Sequence, residues 1–230
     1  MADSPAYGQI NFDTAGRWLG LAPEDDGHVW MLNLMKYHRV AQYADGNAEA
    51  ISGEAADDKY APLGPLAAVG AQAVFLSPVV AQHAGDPAWD RIGIVDYPSR
   101  KAFFDMQRRD DFKAQHEHKE AGMEFTIVMG TEPVATGPGT AADGSLVLRV
   151  RRVADGGAGA EPDGVTPVAH FTVDGVILGD ARTWNDVRFD RVRPDAIPAL
   201  TAVSGVEEQV VVVLDEPRVD RLVETITAAG

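Results

Sequence analysis

The sequence has no cysteine in 230 residues. Disulfides, thiolate nucleophiles and Cys-ligated zinc or iron–sulfur centres are therefore excluded. Positive charge is scarce too: 20 Lys and Arg stand against 35 Asp and Glu, a formal net charge of −15. That balance argues against nucleic acid, which needs a basic footprint, and against an anionic membrane surface. No apolar run reaches the ~20 residues of a membrane helix. The first twenty residues have neither the basic start nor the apolar centre of a secretory signal. A cytoplasmic protein is the resulting expectation. There is also no GxGxxG after a strand, no P-loop, no GxSxG and no HExxH, so neither cofactor nor metal is expected from motifs.

What is present is most ordered around residues 89–130, WDRIGIVDYPSRKAFFDMQRRDDFKAQHEHKEAGMEFTIVMG. Ile92, Ile94 and Val95 make a strand. Pro98 stops it and Ser99 offers an N-cap. A helix with Phe103, Phe104, Met106 and Phe112 follows. Gly122 ends it in the manner of a left-handed cap, and EFTIVM (124–129) is the next strand. Part of this recurs: GDPAWDRIGIVDYPSRKAFF at 85–104 matches GDARTWNDVRFDRVRPDAIPAL at 179–200. Trp89 aligns with Trp184, Ile92 with Val187 and Ile94 with Phe189, an internal repeat of about 100 residues.

The remaining elements fall in with that repeat. Residues 1–11 read as a loose arm, and Asp13-Thr14 as the cap of a short helix to Leu21. VWMLNLMKY (29–37) is apolar on both faces, as a central strand is. Residues 46–58 read as irregular, 59–69 as a helix stopped by Gly70, and 73–80 as a strand. This gives β-α-β-β-α-β, the ferredoxin-like order, over 1–134. Residues 135–144 are a linker by composition. Residues 145–230 form a degenerate second half with strands at 146–153, 168–178, 185–192 and 208–214 and a final helix at 217–229. Its first helix is lost, because 155–167 is glycine-rich and has no helical period. The expected class is α+β, with two tandem ferredoxin-like halves.

The stretches MLNLMKY (31–37), SGEAADDKYAPL (52–63), WDRIGIVDYPSRKAFFDM (89–106) and HKEAGM (118–123) resemble the DUF1330-type proteins of the dimeric α/β-barrel superfamily. The resemblance spans most of 29–133. It implies a fused α/β barrel with a pocket, and it carries no reaction, since the superfamily holds several chemistries.

Alternation sorts the strand residues by face. Leu146, Leu148 and Val150 share one face, Val147, Arg149 and Arg151 the other. His170, Thr172 and Asp174 oppose Ala169, Phe171 and Val173, and Arg188 and Asp190 oppose Val187 and Phe189. If the apolar faces meet helices, then Arg149, Arg188, His170 and Asp190 point into the barrel, with Asn33 and Tyr37 opposite them. The plainer alternative is an ordinary wetted sheet face. Trp89 is a candidate for ligand stacking, although such residues more often pack a barrel rim.

His116 and His118 are about 200° apart on a helix and do not share a metal easily. His116 is spaced to touch Phe112 and Glu120 and reads as a solvated helix end. His118, inside the resembling stretch, is the better acid–base candidate.

The first functional expectation is a cofactor-independent enzyme of isomerase, cyclase or lyase type. It would act by general acid–base chemistry on a small, anionic organic substrate. Arg149 and Arg188 would hold a carboxylate, enolate or phenolate oxygen. His170 with Asp190 would move the proton, with His118 second, while Asn33, Tyr37 and Trp89 would complete the site. The alternatives are a ligand- or haem-binding barrel without turnover, with His118 or His170 as axial ligand, and a structural or regulatory assembly module. The chain would work as a monomer or homodimer.

Overall fold

The structure is a computed structural model that describes residues 5–44, 50–60, 62–141 and 143–229. Residues 1–4 and 45–49, read above as parts of an arm and an irregular stretch, lie outside the described residues. The strands are β1 (Gln9–Ile10), β2 (Val29–Tyr37), β3 (Gln72–Ala84), β4 (Arg91–Tyr97), β5 (Met123–Thr136), β6 (Ser145–Val153), β7 (Val165–Gly179), β8 (Asp186–Val192), β9 (Val206–Leu214) and β10 (Val219–Asp220). The helices are α1 (Phe12–Leu19), α2 (Gly53–Lys59), α3 (Leu63–Ala68), α4 (Arg100–Arg108), α5 (Asp110–Gly122) and α6 (Leu222–Ala229).

Eight strands close an antiparallel barrel within one chain, in the order β7-β5-β2-β4-β3-β9-β6-β8, with β8 paired back to β7. The first four run β5-β2-β4-β3 and the last four β9-β6-β8-β7. Each group therefore has its own first strand beside its third and fourth. The groups join through β5–β7 and β3–β9. Trp89 and Trp184 stand two residues ahead of β4 and β8, and both are buried.

An eight-stranded barrel has an interior only wide enough for side chains. Here it is filled by one apolar cluster from all eight strands, including Leu32, Leu34, Ile92, Ile94, Leu148, Val150, Phe171, Val187, Phe189, Val210 and Val212. Each such side chain contributes about 1.5–3 kcal/mol when fully buried. Leu222, Val223 and Ile226 of α6 pack against the same cluster.

This corrects the assignment of faces. The apolar faces of the strands point into the barrel and the charged ones point out, because a closed interior admits no water and leaves no room to pair several guanidinium groups. Arg149, Arg188, His170 and Asp190 lie on the outer face of their strands, and so do Tyr37 and Asn33, the latter with its neighbours Leu32 and Leu34 in the interior cluster.

Several boundaries differ from expectation as well. The N-terminal segment is held from Tyr7 onward: Tyr7 is buried, its carbonyl accepts from the Thr126 amide, and β1 pairs with the end of β7. Asn11, not Asp13 or Thr14, caps α1, its side chain accepting from the Thr14 amide. Ser52 caps α2 within the stretch expected to be irregular, and α3 follows as a separate helix. The helix expected after Ser99 is broken at Arg109, which is extended (ψ 139°). Ser99 does cap it, accepting from the Ala102 amide. Gly122 is not left-handed; it leads directly into β5. Val219 and Asp220, expected as helix, pair with β3.

Candidate functional site

The outer face of β2, β4 and β5 is roofed by α3, α4 and α5, and between them lies a cavity of about 710 Å³. Its floor includes Met31, Asn33, Met35, Gly93, Val95 and Val128; Leu66, Phe103, Phe104, Met106 and Phe112 line its helical side. Gly93, at the middle of β4 and paired with Asn33, removes a side chain from the floor. A Cβ there would meet the ends of Met35 and Leu76, at 3.3 and 3.4 Å, and the Phe75 carbonyl oxygen at 3.9 Å. A glycine inside a strand commonly marks such a close approach. An apolar cavity with a few converging polar groups is the usual form of a small-molecule site.

The polar groups converge in two places. At the first, the Tyr7 hydroxyl and His116 Nε2 are 2.8 Å apart. His116 packs on Phe112 and Tyr60, with ring centroids at 5.3 and 6.0 Å. Burial, helped by nearby Lys119, pushes the His116 pKa down to about 4, so the imidazole is neutral near pH 7. Its Nδ1 is buried without a hydrogen-bond partner. Burial also raises the Tyr7 pKa well above the ordinary phenol value. Lys119, one turn beyond His116, places its nitrogen 6.0 and 5.4 Å from the ring centroids of Tyr7 and Tyr60.

At the second place, Arg91 is buried among carboxylates: Nη1 donates to Asp57 at 3.1 Å, and Nη2 faces Glu54 at 2.7 Å and Asp58 at 2.8 Å. The Tyr37 hydroxyl donates to the same Asp57 oxygen at 2.6 Å, and the guanidinium lies 5.3 Å from its ring centroid. Three carboxylates around one guanidinium leave it no spare charge for a ligand. This cluster supports the wall.

The residues singled out from the sequence separate accordingly. Asn33 lines the cavity, with its side chain donating to the Met31 carbonyl at 2.9 Å. Tyr37 lies behind the wall formed by Asp57 and Arg91. Trp89 belongs to the barrel interior, stacked on Phe125 at 5.7 Å. His118 does not line the cavity; its Nδ1 is 2.9 Å from the Tyr43 hydroxyl.

Arg149, Arg188, His170 and Asp190 do come together, on the outer face of β6, β7 and β8, but in a closed network. Arg149 donates from Nε and Nη2 to Asp190, at 2.9 and 2.6 Å, and from Nη1 to Glu161. Arg151 donates to Asp186 at 2.8 Å and to Glu161 at 3.2 Å. His170 Nε2 is 3.0 Å from Asp186, and Arg188 lies 3.5 Å from Asp186 and 4.0 Å from Glu161. Arg149, Arg151 and Asp190 are essentially inaccessible to solvent. Burial opposes ionisation of Glu161, but Arg149, Arg151 and Arg188 together outweigh it and hold the carboxyl below its usual range. Three guanidinium groups meet three carboxylates, so the network leaves no positive charge that calls for an anion.

The two histidines expected as axial haem ligands, His118 and His170, do not line the cavity.

His116, read from the sequence as a solvated helix end, lines the cavity instead, and Tyr7 was not among the sequence candidates. The spacing of His116 to Phe112 and the mid-strand Gly93 were signals pointing to this face; nothing in the sequence marked Tyr7.

No family model matches the sequence, and no curated protein matches it. Among solved structures, the methylated RPA0582 protein of Rhodopseudomonas palustris is similar over 57% of this chain and 98% of its own, at 25% identity and a TM-score of 0.48. An anthrone oxidase-like protein is similar over 84% of this chain and 94% of its own, at 13% identity and a TM-score of 0.43. A mutant chlorite dismutase from Candidatus Nitrospira defluvii is similar over 93% of this chain and 98% of its own, at 8% identity and a TM-score of 0.44.

Proposed function

We propose that the protein is a cofactor-independent acid–base enzyme acting on a small, largely apolar organic molecule with an acidic C–H or O–H. The site is the cavity between the outer sheet face and α3–α5. The chain is then a fused pair of ferredoxin-like halves, 1–134 and 145–230, of the DUF1330-like kind within the dimeric α/β-barrel superfamily. It acts in the cytoplasm, without nucleic acid or membrane, and needs no second chain to complete its pocket.

The observation that carries this reading is the neutral His116 hydrogen-bonded to Tyr7 in an aromatic cavity. A base must be unprotonated at the working pH, and burial has secured that. The Tyr7 oxygen takes the substrate proton as its own passes to His116 Nε2, so no free tyrosinate forms. Negative charge developing on the substrate is balanced by the imidazolium. Phe103, Phe104 and Phe112 exclude water and bind a flat apolar body.

The test is hydrogen–deuterium exchange at the α-carbon of 2-tetralone, a two-ring ketone, followed by NMR. Wild type should accelerate exchange, with a rate that rises as pH passes about 4 and is then level. His116→Phe should reduce the enzymatic rate by about 10²-fold or more. Equal rates in the two proteins would refute the assignment of His116.

A further inference from the structure

We propose that Lys119 is a carbonyl-reacting lysine, whose amine forms an imine with an aldehyde or ketone held in the cavity. This rests on the acid–base reading of the site and names its substrate class. The surroundings of the Lys119 nitrogen carry the inference. Lys36, Lys101 and Lys113 each face an aspartate, Asp90, Asp105 and Asp110. Lys119 has instead the rings of Tyr7 and Tyr60, and no hydrogen bond or ion pair involves its side chain among the described residues. It is half-buried and lines the cavity, so a ligand can reach it. Desolvation between the rings lowers its pKa, against a smaller opposing effect of Asp57. An amine in such a place is free to act as a nucleophile more often than a solvated lysine is.

The groups needed to complete the step stand beside it. The Nζ lone pair adds to the carbonyl carbon, and the carbon–oxygen π pair moves onto oxygen. One amine proton passes to that oxygen, giving a carbinolamine. The nitrogen lone pair then forms the C=N bond as the hydroxyl leaves with the second amine proton, so that amine and carbonyl become imine and water. His116, one turn before Lys119 and packed on the same Tyr60 ring, and Tyr7 relay both protons. Protonating the imine acidifies the adjacent C–H, the proton that the Tyr7–His116 pair removes.

The test treats the full-length protein with 2-naphthaldehyde and sodium cyanoborohydride, which reduces an imine to a stable amine. Intact mass and peptide mapping locate the naphthylmethyl group. The expected result is labelling at Lys119 at least about tenfold faster than at Lys101, which is ion-paired to Asp105 at the surface. Excess 2-tetralone should slow the labelling of Lys119 and leave that of Lys101 unchanged. Labelling of Lys119 no faster than of Lys101 overturns the proposal, and no variant has to fold for this measurement. Exchange of 2-tetralone separates the two claims. His116-dependent exchange without selective labelling of Lys119 would remove the imine and keep the acid–base site. Loss of both would remove the site.

Discussion

His116 and His118 sit two positions apart on α5 and meet different surroundings, one the cavity and the other Tyr43. Helical geometry shows that they face different ways. It does not say which one faces inward, because that depends on where α5 rests on the sheet. From helical spacing alone His116 reads as a solvated helix end and His118 as the acid–base candidate; the structure puts His116 in the cavity and His118 against Tyr43. Tyr7 was out of reach for a related reason: its burial depends on β1 pairing with β7, about 170 residues away. The depressed pKa of His116 also makes it a stability element. Unfolded, the imidazole takes a proton near pH 6.5; folded, only near 4. The folded state is thus favoured above pH 6.5, and this contribution is lost as pH falls from about 6.5 to about 4, on the order of 3 kcal/mol in all. Urea unfolding at pH 7 and pH 4 should show wild type losing more stability than His116→Phe by about that amount. Parallel losses in the two proteins would show that His116 is not desolvated.

At the scale of elements, alternation grouped the residues of β6 and β8 as the structure groups them. Leu146, Leu148, Val150, Val187 and Phe189 are on one face, Arg149, Arg188 and Asp190 on the other. What alternation cannot supply is which face is inside. In an open sheet covered by helices on its apolar side the answer is one way; closing eight strands reverses it. The glycine-rich stretch after β6 was legible as lacking a helix, but Glu161, which it lays over Arg149 and Arg151, was not. On the cavity side, α2 is set against the end of α5 by two glycines. A Cβ on Gly53 would lie 2.3 Å from the Gly122 carbonyl oxygen and 2.5 Å from that of His38. These are backbone atoms, held by the His38–Gly122 and Gly53–His38 hydrogen bonds, and have little room to give. Gly53→Ala should therefore destabilise the protein by about 1–3 kcal/mol, the usual cost of overpacking. It should also displace Asp57 from Tyr37 and Arg91. A melting temperature equal to that of wild type would show that the helices are not so closely set.

Across the whole molecule, the two groups of four strands share one order, and their outer faces have different fates. The first keeps a cavity under its helices; the second is closed by a charge-balanced network and by the short helix Pro194–Ala202, whose Ile197 and Leu200 pack on Val147, Val211 and Val213. The match of Trp89 with Trp184 picked out two strands, β4 and β8, that each lie beside the first strand of their group. It could not show which outer face keeps the cavity beside His116, since this depends on a cover that comes from outside the strands. The central claim is that the open face, with His116, is the site. NMR of ¹⁵N-histidine-labelled protein during titration with 2-naphthol, a flat two-ring phenol, tests it most directly, because five of the six histidines lie in the first group of elements and His170 alone lies in the second. The account predicts that the His116 resonances move with saturable dependence on 2-naphthol while those of His170 stay in place. Saturable movement of His170 with His116 unchanged would contradict it.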